Sequence, residues 1–311
     1  MINTVSFPGL GLQFHLSNVA FQIGSFSVYW YGVLIGLGVV LALIYAFHYA
    51  KTFGVDANRM SEVIIFGMFG ALIGARLFYV IFNWGMFQDN PLSVFSFRQG
   101  GLAIYGGVIA AFLLGVLLCK WRKIKTLPLF DLVSIGFLLG QGIGRWGNFF
   151  NVEAYGSTTS LPWGMYSPKI EAELTQKLPE LTSLGMKIDP TQPVHPTFLY
   201  ESIWCILGFI LLTLYIKHRK FDGEIFLLYL AWYGFERFFV EGLRTDSLMV
   251  GGFRISQLLA AILCVSAVAA WIYIRLKVLP QKEGPHLYAE SEEWKSFLTE
   301  QERGTKDESA D

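Results

Sequence analysis

The sequence predicts an all-α polytopic membrane protein: seven transmembrane helices carrying a small subdomain on the extracytoplasmic side. Three observations lead there. Of the 311 residues, 53% are hydrophobic and 15% charged, whereas charged residues make up about 25% of an ordinary soluble domain. Seven stretches of the chain approach the roughly 20 apolar residues that cross a bilayer. The lysines and arginines, finally, gather in alternate connections between those stretches.

The predicted spans are 27–49, 61–83, 101–119, 129–150, 197–216, 223–241 and 255–276. Lys51 and Arg59 follow the first span, Lys120, Arg122, Lys123 and Lys125 the third, Lys217, Arg219 and Lys220 the fifth, and Arg275 and Lys277 close the seventh. The positive-inside rule places these connections in the cytoplasm. The N-terminus and the connections around 84–100, 151–196 and 242–254 then face outward, and an odd number of spans leaves the C-terminus inside. The outward segment 151–196 is the longest connection, and Pro162, Pro168, Pro179, Pro190 and Pro193 are expected to break any long helix in it. A connection of that length reads as an outer subdomain able to cover a substrate. Residues 281–311 turn polar and mostly acidic, the composition of a disordered tail, relieved only by a short amphipathic turn around Trp294 to Leu298. The expected plan is an extracytoplasmic segment 1–26, a membrane catalytic domain 27–280 and a cytoplasmic tail 281–311. Residues 1–26 carry no lysine or arginine and read as mature sequence rather than a signal peptide.

Composition also excludes several classes of function. The formal net charge is zero, so no global basic field points to a nucleic-acid partner. Cys119, Cys205 and Cys264 stand singly in apolar segments and read as packing residues. Clustered aspartates for magnesium, H-E-x-x-H and G-x-S-x-G are all missing from the sequence, so neither a metal, a cofactor nor a hydrolase nucleophile is expected.

Polar residues inside the apolar spans point to a site. The run from Leu132 to Gly144 closes on Arg145, Asn148, Asn151 and Glu153. A charged residue near the centre of a membrane helix costs about 2.5 to 3.5 kcal/mol, so Arg145 implies a partner, a wet cavity or a ligand. At about 100° per residue, Arg145, Asn148 and Asn151 share one helix face, gathering donors suited to an anionic head group. Arg237 lies on a stripe with Tyr233 and Glu241, with Glu236 beside it; an internal ion pair with Glu241 is the plain alternative to a ligand role. Arg76 also interrupts an apolar helix, and a structural use of it stands level with ligand binding.

The segment 144–156 reads G-R-W-G-N-F-F-N-V-E-A-Y-G. It matches throughout the pattern G-R-x-G-N-F-x-N-x-E-x-x-G, which resembles the signature of the prolipoprotein diacylglyceryl transferases. Tyr29-Trp30-Tyr31-Gly32 is similar to the family's Trp-Tyr-Gly segment, with Tyr31 as its functional tyrosine. His195-Pro196 with Tyr200-Glu201 resembles the start of the fifth helix, and Tyr233, Arg237 and Glu241 match the sixth. The family usually carries His-Gly-Gly at the start of the third helix; here Tyr105-Gly106-Gly107 stands in its place. A phenol of pKa near 10 is not an ordinary base at neutral pH. The glycines themselves read as close-packing helix surface.

The resemblance implies transfer of the sn-1,2-diacylglyceryl group from phosphatidylglycerol to the lipobox cysteine in the signal peptide of a prolipoprotein, the first step of bacterial lipoprotein maturation, in the inner membrane. Arg145 and Arg237 are then expected to hold the leaving phosphate, supported by Asn148 and Tyr31, with Asn151, Glu153, Glu241 and Arg76 around the substrates. A base for the thiol is open among His195, Glu153, Glu201, Glu241, Tyr233 and Tyr105, with His195 leading on intrinsic pKa; arginines that lower the thiol pKa are an equal alternative. Competing readings are an anion or lipid transporter using the same arginines, or a catalytically degenerate family member.

Overall fold

The structure, a computed structural model, describes residues 2–96, 100–245, 249–250, 253–281, 283–284 and 286–308. The predicted spans appear as α1 (Trp30–Phe53), α2 (Ala57–Phe82), α3 (Ile104–Trp121), α4 (Thr126–Asn151), α6 (Thr197–Tyr215), α7 (Glu224–Leu243) and α8 (Ile255–Tyr273); α5 (Pro168–Ser183) and α9 (Glu292–Glu308) lie between and after them. Six of the seven are long and apolar enough to cross a membrane. The exception is α7, which carries Glu224, Glu236, Arg237 and Glu241. The architecture is that of an all-α, multi-pass membrane protein.

The chain divides into two compact units, one of Met1–Ala46 with Leu132–Gly284 and one of Phe47–Asp131 with Pro285–Asp311. The first unit opens with two hairpins that the sequence reading did not anticipate: β1 (Ile2–Phe7) pairs with β2 (Leu12–Ser17), and β3 (Val19–Ile23) with β4 (Phe26–Tyr29). Their turns hold Gly11 at φ 64° and Gly24 at φ 60°, backbone angles that glycine adopts without a Cβ penalty. Val5 and Phe7 alternate inward along β1 and join Leu16, Phe149, Ile170, Leu174, Leu181, Val194 and Phe198 in one apolar core. Ser6 and Tyr166 exchange two backbone hydrogen bonds of 2.8 Å. The first hairpin thus shares one core with the segment 151–196 and the end of α4.

Between the prolines of this subdomain the chain forms one helix of 16 residues, α5. Pro168 occupies the first turn of α5, behind the N-cap Ser167, where its missing N–H would have had no helical partner. Pro179 lies inside α5, where the buried Ile170, Leu174 and Leu181 hold the helix against the core.

In the second unit α2 and α3 meet through small residues. A Cβ on Gly106 would fall 2.2 Å from the Phe78 Cβ and 2.5 Å from the Gly74 carbonyl oxygen. Such close backbone approach is what small residues allow between membrane helices. The tail also departs from expectation, since α9 is folded onto this unit. Trp294 is buried, the Arg59 guanidinium sits 5.1 Å from the centre of the Phe297 ring, and Lys125 pairs with Glu293 at 3.1 Å. This amphipathic helix is longer than the turn expected around Trp294 to Leu298, and it sets Trp294 and Phe297 on one face.

Candidate active site

Three arginines of the first unit converge on Glu201, one turn into α6 and 1% exposed. Arg145, near the end of α4, forms an ion pair with its Oε2. Arg237 of α7 reaches the same oxygen at 3.4 Å, and Arg244, just beyond α7, lies 3.9 Å from Oε1. Arg237 also pairs with the buried Glu241 one helical turn on. Tyr233 stacks on Tyr229 with ring centres 6.0 Å apart and interacts electrostatically with both Arg145 and Arg237. Antiparallel packing explains the gathering: the C-terminal ends of α4 and α7 meet the N-terminal turn of α6. The arginine side chains keep 22%, 18% and 14% of their surface exposed in chain order, while Glu201 keeps 1%. The carboxylate is thus enclosed at the centre of the cluster, while each arginine side chain keeps part of its surface exposed.

The end of α4 is shaped by its own polar residues. Asn148 and Asn151 do share a face, but both donate to Glu153 Oε1, at 3.0 and 3.1 Å. This clasp accompanies a sharp exit from the helix, with Val152 at φ 52° and Ala154 at φ 54°, left-handed angles uncommon outside glycine. Lys169 Nζ donates to the Asn151 carbonyl at 2.7 Å, and the Thr197 hydroxyl donates to that of Ala154. The segments that follow α4 and α7 are joined by an isolated bridge between Gly156 and Arg244. That join places Arg244 beside the carboxylate.

A family model described as prolipoprotein diacylglyceryl transferase matches residues 18–273. Proteins named phosphatidylglycerol–prolipoprotein diacylglyceryl transferase are similar over most of their length. That of Limosilactobacillus reuteri (strain DSM 20016) is 40% identical over 273 residues, 87% of this chain and 95% of the relative. Those of Finegoldia magna and Listeria welshimeri are 40% and 42% identical, covering 86% and 88% of this chain and 100% and 94% of the relatives. The chain belongs to the prolipoprotein diacylglyceryl transferase family.

Seen as a diacylglyceryl transferase, the chain gives physical roles to several signature positions. A Cβ on Gly147 would lie 2.5 Å from Tyr31 Cδ2 and 3.2 Å from its Cα, so the glycine lets α1 close on α4 and brings Tyr31 beside it. Gly147→Ala is expected to displace Tyr31 and lower transfer at least tenfold; activity equal to wild type in purified, folded variant would show that this approach is dispensable. Gly156 meets His195, Thr197 and the Leu243 carbonyl in the same way.

Three expected residues have other surroundings, each within its own unit. Arg76 belongs to the second unit, is 4% exposed, and donates to the carbonyls of Ser93, Val94, Ser96, Gly100 and Gly101 at 2.8 to 3.2 Å. These bonds clasp the segment before α3. Tyr105 is the second residue of α3, also in the second unit. His195 joins a chain in which Trp163 Nε1 donates to Tyr200 Oη at 2.9 Å and His195 Nδ1 lies 3.2 Å from that hydroxyl. Partial burial pushes the His195 imidazole below its ordinary pKa. Arg244 was missed from sequence, although seven residues after Arg237 returns to within about 20° of it on a helix.

Proposed function

We propose that the protein transfers the sn-1,2-diacylglyceryl group of phosphatidylglycerol to the lipobox cysteine thiol of a prolipoprotein. The lipid's glyceryl carbon exchanges its bond to phosphate oxygen for one to sulfur. The electron pair of the broken C–O bond leaves on glycerol phosphate, and the thiol proton is released. Negative charge therefore grows on the leaving phosphate. The convergence of Arg145, Arg237 and Arg244 on one buried carboxylate carries this reading. A guanidinium stays protonated, presents five donors and grips two phosphate oxygens at once. In this reading Arg145 and Arg237 hold the phosphate, Arg244 joins them, and Tyr31, Asn148, Asn151, Glu153, Tyr233 and Glu241 shape the surrounding pocket. The nucleophile comes with the acceptor, so the enzyme supplies positioning and charge. The alternation of basic connections supports an inner-membrane orientation with the N-terminus outside and the C-terminus in the cytoplasm.

The deciding experiment incubates purified protein with phosphatidylglycerol and a peptide bearing a lipobox cysteine, and reads the peptide mass. Wild type is expected to add the diacylglyceryl group. An unmodified peptide together with transport of an anionic lipid would favour the transporter reading instead. Tyr105→Phe is expected to retain transfer within about tenfold, the scale of one lost hydrogen bond. Complete loss in that variant would place the phenol hydroxyl in the chemistry.

A further inference from the structure

One carboxylate of the cluster has no donor. Glu236 of α7 is 5% exposed, and neither of its side-chain oxygens has a hydrogen-bond partner among the described residues. It lies in the electrostatic field of Glu201, Arg145, Arg237 and Arg244, yet those arginines pair with Glu201 and Glu241. Its direction is set by the helix. Gly234 is pressed against α8, where an added Cβ would come within 2.8 Å of the Ala260 carbonyl oxygen. Glu236, two residues on, is turned about 200° from that contact. It faces the arginine cluster and α6, where Glu201 and Cys205 are its charged and titratable neighbours.

A buried acceptor without a donor is costly, and a ligand that supplies the donor removes the penalty. The phosphate held by the arginines carries such donors with it. The headgroup of phosphatidylglycerol is a glycerol whose two free hydroxyls sit a few bonds beyond the phosphorus, and it adds no positive charge beside three guanidinium groups. We propose that Glu236 accepts hydrogen bonds from the hydroxyls of the glycerol headgroup and thereby makes the enzyme select phosphatidylglycerol over phospholipids whose headgroups lack hydroxyls. The assignment rests on the transferase reading above and adds to it a residue for headgroup choice.

The test compares phosphatidylglycerol with phosphatidylpropanol, which keeps the phosphate and the three-carbon headgroup but has no free hydroxyl. Transfer from each to the lipobox peptide is measured for wild type, Glu236→Gln and Glu236→Leu. A site built to bond a substrate hydroxyl discriminates strongly against the analogue without it, so wild type should prefer phosphatidylglycerol by at least about a hundredfold in kcat/KM. In Glu236→Leu that preference should collapse to within about tenfold, with Glu236→Gln intermediate because its amide keeps one acceptor. The ratio is taken within each preparation and is independent of the folded fraction. A preference that survives in both variants, or a loss of equal size on both lipids as a proton-transfer role would produce, overturns the proposal while leaving the transferase reading intact. Wild type that transfers from neither lipid overturns both.

Discussion

Arg145→Ala and Arg237→Ala are each expected to lower kcat/KM for peptide lipidation by a hundredfold or more. Removing one preorganised donor from a site of developing negative charge commonly costs about 10² to 10³ in rate, and each substitution removes a full guanidinium. Arg145 and Arg237 stand on different helices and meet at one oxygen of Glu201, so neither can replace the other's direction of approach. Lysine at either position keeps the charge but not the planar fork, and should recover only part of the activity. The measurement is steady-state transfer by variants whose thermal unfolding in detergent remains cooperative. Rates near wild type from either folded alanine variant would remove the arginines from the phosphate-holding role.

Glu201→Ala should reduce both stability and activity, and the stability effect is the sharper test. Three guanidinium groups share this one buried carboxylate. Without it they repel one another in a low-dielectric setting, and breaking such a buried pair by removing one partner costs about 3 to 5 kcal/mol. The thermal midpoint should therefore fall by several degrees. Inorganic phosphate, which can stand where the carboxylate stood, should raise the midpoint more in Glu201→Ala than in wild type, because a ligand that binds only the folded state stabilises it by mass action. An unchanged midpoint, or an identical phosphate response in both proteins, would refute Glu201 as the organiser of the cluster.

The two experiments probe different levels of organisation, and the sequence exposes those levels unequally. Arg145 and Arg237 stood out because each interrupts an apolar run, which the cost of burying charge makes conspicuous in any membrane protein. The spacing of Tyr233, Arg237 and Glu241 likewise showed one helix face, and the ion pair between Arg237 and Glu241 follows from it. Asn148 and Asn151 were placed on a common face correctly, yet their shared partner proved to be Glu153, across a chain reversal that no helical period describes. Arg76 shows the same limit: its charge was conspicuous, and its use on five backbone carbonyls was not. The hairpin of β1 and β2 has too short an alternating pattern to stand out, while its pairing with the core around α5 makes it part of the subdomain. In the tail the amphipathic turn around Trp294 to Leu298 is legible, whereas the length of α9 depends on the packing of Tyr288, Trp294 and Phe297.

By itself the sequence determined that the chain is a membrane protein, where its spans lie, and which helices carry charge that hydrocarbon would not accept, because periodicity and transfer energy act within a single segment. The tertiary structure decided the partners. Glu201 collects arginines from positions 145, 237 and 244, and Glu236 is left without a donor beside them, since contacts across such separations depend on how helix ends pack rather than on any local pattern.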